Sequence, residues 1–87
     1  MRRTIHHGHI DANDHVNNAE YIGLAYEALP KETADILNYT RIKVLYKKET
    51  VIHEEIDLSV YQEMQGVLIE ITSNTQFRAS VYFQQKP

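Results

Sequence analysis

Residues 9–29, HIDANDHVNNAEYIGLAYEAL, crowd acidic, amide and imidazole side chains in front of a run with helical spacing. Asn13 can orient a water or a substrate through uncharged hydrogen bonds, and His15 titrates near neutral pH and can move a proton. Asp11 and Asp14 add two carboxylates to the cluster. Such side chains also commonly form hydrogen bonds to the backbone groups of the loop before a helix and of its first turn. The residue types alone leave both interpretations open.

The helix behind this cluster is predicted over residues 18–29. Asn17 can cap its N-terminus, and Glu20, three residues later, completes an Asn form of the capping box. Pro30 ends it, because the residue before a proline is disfavoured in the α region. The predicted buried face has the spacing i, i+3, i+4 and i+7 and consists of Ile22, Ala25, Tyr26 and Leu29.

Alternation of apolar and polar residues predicts strands through the second half of the chain. A further short strand is predicted within residues 2–9, and EMQG and TSNT are the predicted hairpin turns. The later strands are predicted at residues 41–48, 55–61, 66–71 and 76–84. Their alternating apolar residues are Ile42, Val44, Tyr46, Ile56, Leu58, Val60, Phe77, Ala79, Val81 and Phe83.

The order of these elements defines the fold class. A lone helix must bury its apolar stripe, and the only large apolar surface is one face of the sheet. The sequence therefore predicts one α+β domain over residues 1–87, in which a curved antiparallel sheet of about five strands, four of them in a meander, wraps around one long helix.

Length, composition and charge indicate which kinds of partner to expect. A chain of 87 residues has limited core, and sheet edges invite pairing, so we expect a homodimer or higher homo-oligomer. The net charge of −3 argues against a general nucleic-acid binder, and no apolar run approaches the ~20 residues of a membrane span. The start carries no secretory pattern, so we expect a cytoplasmic protein. The absence of cysteine excludes disulfides and a thiolate nucleophile.

Three histidines near the start raise the question of a metal. His7 and His9 would share a face of a strand and could both be ligands, with His6 on the other face. No third ligand with clear spacing follows them, so we predict neither a metal site nor a cofactor.

The cluster resembles the active-site segment of hotdog-fold thioesterases. Enzymes of the 4-hydroxybenzoyl-CoA thioesterase type carry an Asp four residues before a His that is followed by Val-Asn-Asn, as Asp11 and His15 are here. The closer resemblance is to acyl-ACP thioesterases, whose pattern is Asp-x-Asn-x-His-Val-Asn-Asn followed by Tyr-Ile-Gly. Residues 11–23, DANDHVNNAEYIG, fit that pattern.

A second segment strengthens the resemblance. Acyl-ACP thioesterases carry Tyr-basic-basic-Glu on the strand after the helix, and residues 46–49 here are YKKE. The likeness spans nearly the whole chain, but only to the C-terminal half of enzymes that hold two hotdogs in one polypeptide. Thr50 stands where plant members have a Cys, and His9 stands where these families often have a second Asp.

The resemblance implies hydrolysis of acyl-ACP or acyl-CoA to a free fatty acid. It supplies Asp11 and Glu49 as candidates to activate water, with Asn13 and His15 completing the catalytic set. The thioester carbonyl would sit against the N–H groups near Val16 and Asn17, at the helix N-terminus. We expect the Glu49 carboxylate to approach Asn13 and His15 within one subunit.

Alternatives accompany this reading. The chain could be a non-catalytic acyl-binding hotdog, or half of a split or truncated double-hotdog enzyme. Without the resemblance, Glu49 would be an exposed acid at a strand end, and Asn17 is first of all a helix cap. Six basic residues could meet acidic acyl carrier protein or merely lie in solvent: Arg2, Arg3, Arg41, Lys43, Lys47 and Lys48.

Overall fold

The computed structural model describes residues 1–5, 16, 18–31, 39–51 and 53–86. Within these ranges the chain forms one α-helix and five strands, which confirms the predicted α+β class. Their bounds are β1 Arg2–Thr4, α1 Asn18–Glu27, β2 Tyr39–Tyr46, β3 Glu55–Glu63, β4 Gly66–Ser73 and β5 Gln76–Gln85.

The five strands form one sheet in the order β1-β3-β4-β5-β2, and every neighbouring pair is antiparallel. Strands β3, β4 and β5 form a meander, whereas β2 lies on the far side of β5. The predicted four-strand meander is therefore wrong at β2. Residues 47–54 carry the chain across the sheet end to β3, a distance of three strand spacings of about 4.8 Å each, well within the reach of such a segment.

Both predicted hairpin turns are confirmed. Glu63 pairs with Gly66 across the β3–β4 turn, and Ser73 pairs with Gln76 across the β4–β5 turn. The two residues inside the second turn, Asn74 and Thr75, have φ of 51° and 63°. Positive φ at both central positions is the geometry whose twist suits a two-residue hairpin.

The core lies between α1 and the faces of β4 and β5. Tyr21, Leu24 and Ala25 are buried on the helix, a spacing of i, i+3 and i+4 that makes one face. Buried side chains of the sheet pack against it: Ile56, Leu58, Val67, Ile69, Ile71, Ala79, Val81 and Phe83.

The predicted helix face is partly wrong. Ala25 and Leu29 are buried, but Ile22 is only half-buried and the Tyr26 side chain is 38% exposed. The buried stripe consists instead of Tyr21, Leu24 and Ala25, so it is rotated by one residue from the predicted face. The regular helix also stops at Glu27, and Leu29 enters the core from the turn that follows.

This turn ends the helix at Glu27, two residues before the end that Pro30 predicted. The amide of Ala28 donates to the carbonyl of Ala25 at 3.0 Å, and the amide of Leu29 donates to that of Tyr26 at 3.1 Å. Bonds between residues three apart tighten the last turn of a helix. The proposed Asn17 cap lies outside the residues that the structure describes.

One irregularity changes the predicted pattern of β5. Ile71 pairs with Ala79 while Thr72 pairs with Phe77, so Arg78 is an extra residue in a β-bulge. The alternation predicted Phe77 to point inward and Arg78 outward. Phe77 is only half-buried, and Arg78 is buried. The prediction fails here because a bulge shifts the faces of the strand by one residue.

Candidate active site

Most of the predicted catalytic residues lie outside the described part of the chain. These are Asp11, Asn13, His15 and Asn17. His7 and His9, which were considered as metal ligands, also lie outside the described residues. Val16 and Glu49 are described. Among the described residues no three His, Asp or Glu side chains form a group that could hold a metal ion.

The two motif segments meet through their main chains. The amide of Val16, within the first motif, donates to the carbonyl of Thr50, directly after the second, at 2.8 Å. The Val16 side chain is buried in the core. Val16, two residues before the helix, is thereby attached to the segment that follows β2, although 33 residues of sequence lie between Val16 and Thr50.

Two motif tyrosines reinforce this junction. Tyr21, from the helix, and Tyr46, from the end of β2, have ring centroids 5.8 Å apart with planes at 61°. Edge-to-face contact of this kind is a favoured arrangement of aromatic rings. Burial raises the pKa of the Tyr21 hydroxyl above its usual range.

Glu49 has an exposed side chain at the end of this segment. Its charge reaches Tyr46, whose pKa is raised first by desolvation and then by the neighbouring Tyr21 and Glu49. The approach of the Glu49 carboxylate to Asn13 and His15 remains a prediction.

Arg78 is the residue of this region that sequence reasoning missed. Its Nη1 donates to the main-chain carbonyl of Glu49 at 2.5 Å and lies 3.0 Å from the carboxylate Oε2 of Glu54. Only 5% of Arg78 is exposed. No sequence signal pointed to it, because a charged residue between Phe77 and Ala79 fits the outward position of a regular strand.

Buried polar atoms collect beside this arginine. In the described part of the chain four buried side-chain atoms lack a hydrogen bond of normal geometry: Tyr21 Oη, Thr50 Oγ1, Glu54 Oε2 and Arg78 Nε. Thr50, Arg78 and Glu54 all lie close enough to influence the Tyr21 hydroxyl. The end of β2 thus covers a polar cluster within an otherwise apolar core.

A cleft opens next to Glu49 along the chain. It has a volume of about 310 Å³ and is lined by Lys47, Lys48, Gln76 and Phe77. The Lys48 ammonium donates to Gln76 Oε1 at 3.0 Å. Two lysines and an aromatic ring make this cleft suited to an anionic ligand or an acidic protein surface.

No helix among the described residues is long and apolar enough to cross a membrane.

Comparison with solved structures identifies the fold. An acyl-ACP thioesterase of Bacteroides thetaiotaomicron superimposes with a TM-score of 0.86 and 19% identity, over 99% of this chain but 36% of that chain. A 1,4-dihydroxy-2-naphthoyl-CoA thioesterase of Synechocystis gives 0.67 and 10%, over 100% and 86%. A Staphylococcus aureus protein solved in complex with CoA gives 0.71 and 13%, over 99% and 76%. These likenesses confirm the hotdog fold.

Sequence comparison identifies the family. Among proteins with curated descriptions, none matches this chain. The profile of the acyl-ACP thioesterase C-terminal domain matches residues 3–85, nearly the whole chain. The chain spans only 36% of the Bacteroides enzyme, as a single hotdog would. It therefore belongs to the acyl-ACP thioesterase C-terminal domain family.

Proposed function

We propose that this protein is a thioester hydrolase that acts on acyl-ACP or acyl-CoA and releases a free fatty acid. The observation that carries the proposal is the bond from the Val16 amide to the Thr50 carbonyl, because it joins the two segments that hold the motif residues. Membership of the acyl-ACP thioesterase family supports the same chemistry.

In the proposed mechanism a water molecule attacks the thioester carbonyl directly, since the chain has no cysteine to serve as nucleophile. Asp11 or Glu49 holds and deprotonates this water, and Asn13 orients it. His15 passes a proton to the departing thiolate, which leaves as free thiol. The acyl group takes the hydroxyl and becomes the carboxylic acid.

The helix N-terminus would stabilise the oxyanion that forms on the carbonyl oxygen. The Val16 amide is already donated to Thr50, so the amide of Asn17 is the donor of the proposal. Val16 would contribute through its side chain, which is buried in the core. The Glu49 carboxylate would approach Asn13 and His15 within the same subunit, directly or through one water.

The test is release of free thiol from acyl-ACP and acyl-CoA by the purified protein. Glu49→Gln and Asp11→Asn should abolish turnover while the melting temperature stays nearly unchanged. Glu63→Gln is the matched control. Glu63 is also an exposed glutamate, but it lies at the β3–β4 turn, whereas the β4–β5 turn lies at the other end of β4. No thiol release across short and long acyl chains would refute the proposal.

Of the two proposed substrates, the lysines beside Glu49 favour acyl-ACP over acyl-CoA. Lys47 and Lys48 line the cleft beside Glu49, whereas Arg2 and Arg3 already pair with acidic side chains of this chain. Lys47→Gln should lower kcat/KM for acyl-ACP more than for acyl-CoA, and added salt should reduce that difference. Equal losses for the two substrates would remove the lysines from carrier-protein recognition.

We also propose that the chain self-associates along β2. This edge strand pairs only with β5 in the described structure, and Leu45 is 63% exposed on it, with Val44 and Tyr46 also exposed. Apolar side chains beside open backbone groups favour a second copy, most simply in a dimer. Sedimentation should show a dimer or larger species that Leu45→Lys disrupts, and a stable monomer at micromolar concentration would contradict it.

The alternative is half of a split or truncated enzyme, or an acyl-binding module without turnover. This alternative is supported by the length of the chain, which spans only 36% of the Bacteroides enzyme. An adjacent reading frame encoding a second hotdog, whose product restores thiol release when mixed with this chain, would favour the split enzyme. Tight acyl binding without hydrolysis would favour the binding module.

A further inference from the structure

We propose that Arg78 is a positioning residue whose buried guanidinium and main-chain carbonyl fix the segment 47–50, and so set where the Glu49 carboxylate lies. This inference rests on the proposed function, because the catalytic role of Glu49 belongs to that proposal. Arg78 would act on the reaction through Glu49 and not by touching the substrate.

The side chain supplies the first set of contacts. The Arg78 guanidinium donates to the Glu49 carbonyl at 2.5 Å and to Glu54 Oε1 at 3.2 Å. A hydrogen bond from a charged donor is stronger than a neutral one, and burial excludes the water that would compete with it. The guanidinium therefore ties the peptide unit that follows the Glu49 side chain to a fixed point in the core.

The main chain of the same residue supplies the second set. Its carbonyl accepts from the amide of Lys47 at 2.9 Å and from the amide of Lys48 at 3.1 Å. Arg78 therefore holds the two residues before Glu49 through its backbone and Glu49 itself through its side chain. The main-chain contacts continue the β2–β5 pairing beyond Tyr46 and Ala79, whereas the bulge in the β4–β5 pairing puts the Arg78 side chain on the buried face.

The next residue along completes the anchor. Thr50 accepts from the Val16 amide at 2.8 Å, so a shift of residues 47–50 would also shift the attachment point of the first motif segment. One residue of β5 thereby holds the second motif in a fixed relation to Val16 in the first motif. A displacement of about 1 Å can cost a catalytic site about 100-fold in rate.

The guanidinium suits this position better than an ammonium would. One nitrogen of this group, Nη1, reaches both the Glu49 carbonyl and the Glu54 carboxylate, and the rigid plane of the guanidinium holds it between them. A lysine could keep one of these contacts, and a methionine would keep neither. This gradation makes the proposal testable with substitutions of similar length.

The experiment compares wild type with Arg78→Lys, Arg78→Met and Glu54→Gln, and uses Arg2→Met as the matched control. Arg2 also pairs with acids, but at the exposed β1 edge. For each protein kcat and KM are measured on the best thioester of the hydrolysis screen, per folded molecule. Amide hydrogen exchange is measured for a peptide covering residues 46–50.

Arg78→Met should lower kcat by about 10- to 100-fold with KM changed less than about twofold, because the site is displaced while binding is retained. Arg78→Lys should recover about tenfold of that loss. Exchange in residues 46–50 should accelerate in Arg78→Met and not in Arg2→Met. Glu54→Gln should reduce kcat less than Arg78→Met, since the Glu49 contact persists.

Three results would overturn the proposal. They are a kcat in Arg78→Met within about twofold of wild type, an equal loss in Arg78→Lys and Arg78→Met, and an equal loss in Glu54→Gln. If Arg78→Met does not fold, the Lys and Gln variants decide. If wild type hydrolyses no thioester, the proposed function fails separately, and unchanged exchange in residues 46–50 would then overturn the positioning role.

Discussion

The ring of Tyr21, on the helix, meets the ring of Tyr46, at the end of β2, with centroids 5.8 Å apart and planes at 61°. Tyr21 is completely buried, whereas Tyr46 is partly exposed. The contact joins the core to the surface at the place where the two motif segments come together. It also puts a titratable hydroxyl into the core, with consequences for stability at high pH.

Tyr21→Phe should make the protein less sensitive to alkaline pH. Burial raises the pKa of Tyr21 in the folded chain, so its contribution to stability is complete below about pH 10, the unfolded value, and is lost as pH rises through the folded-state value. Urea unfolding at increasing pH should show the free energy of wild type falling more steeply above about pH 10 than that of Tyr21→Phe. Tyr61→Phe, on an exposed position of β3, is the control and should follow wild type. Equal slopes for wild type and Tyr21→Phe would contradict the prediction.

Substitutions on the helix should distinguish its buried face. Leu24→Ala should lower the free energy of unfolding by about 2–5 kcal/mol, because it leaves a cavity against the sheet. Ile22→Ala should cost clearly less, since Ile22 is only half-buried. Denaturant melts of the two variants test this order, and a larger loss for Ile22→Ala would show that the face is centred elsewhere.

Two glycines should respond in opposite directions to alanine. A Cβ on Gly66 would lie 2.3 Å from the Phe83 carbonyl oxygen, so Gly66→Ala forces β4 and β5 apart and should cost about 1–3 kcal/mol. A Cβ on Gly23, in the helix, would meet no described atom within 4 Å. Gly23→Ala should therefore raise the free energy of unfolding by about 0.5–1 kcal/mol through helix propensity. Thermal and urea unfolding measure both, and a stable Gly66→Ala would disprove the close approach.

Thr75→Gly should stabilise the β4–β5 hairpin. Thr75 has φ of 63°, a conformation that is unfavourable for a β-branched residue and free of strain for glycine. We expect a gain of about 0.5 kcal/mol in the free energy of unfolding, because relief of strain exceeds the added entropy of the unfolded chain. Thr72→Gly, within β4, should instead destabilise, and the same sign for both variants would argue against the turn geometry.

The elements of this fold follow from local sequence patterns, but their pairing does not. Asn74 and Thr75 lie in a turn that the TSNT sequence predicted, and the run from Gly66 to Ile71 lies in a central strand. Alternation cannot say which strand a segment pairs with, so the position of β2 beside β5 was missed. It also assumes an unbroken period of two, so it placed Arg78 on the wrong face.

The candidate site was likewise predictable only in part. Residue patterns marked the segments 11–23 and 46–49, and the hydrogen bond from the Val16 amide to the Thr50 carbonyl brings those segments together. The support that Arg78 gives to Glu49 could not be read from either motif. It arises from a third segment, whose register is set by a bulge and by pairing between distant residues.

The pairing of β2 with β5 also has a consequence for the order in which the chain can fold during synthesis. Strands β3, β4 and β5 are joined by two-residue turns, so their pairing needs only local loop closure. Strand β2 must wait for residues 76–85, which a ribosome produces well after it, at about 5–20 residues per second. The segment carrying Glu49 therefore stays without its sheet partner until β5 has emerged. The residues that define the family are made early and acquire their arrangement late.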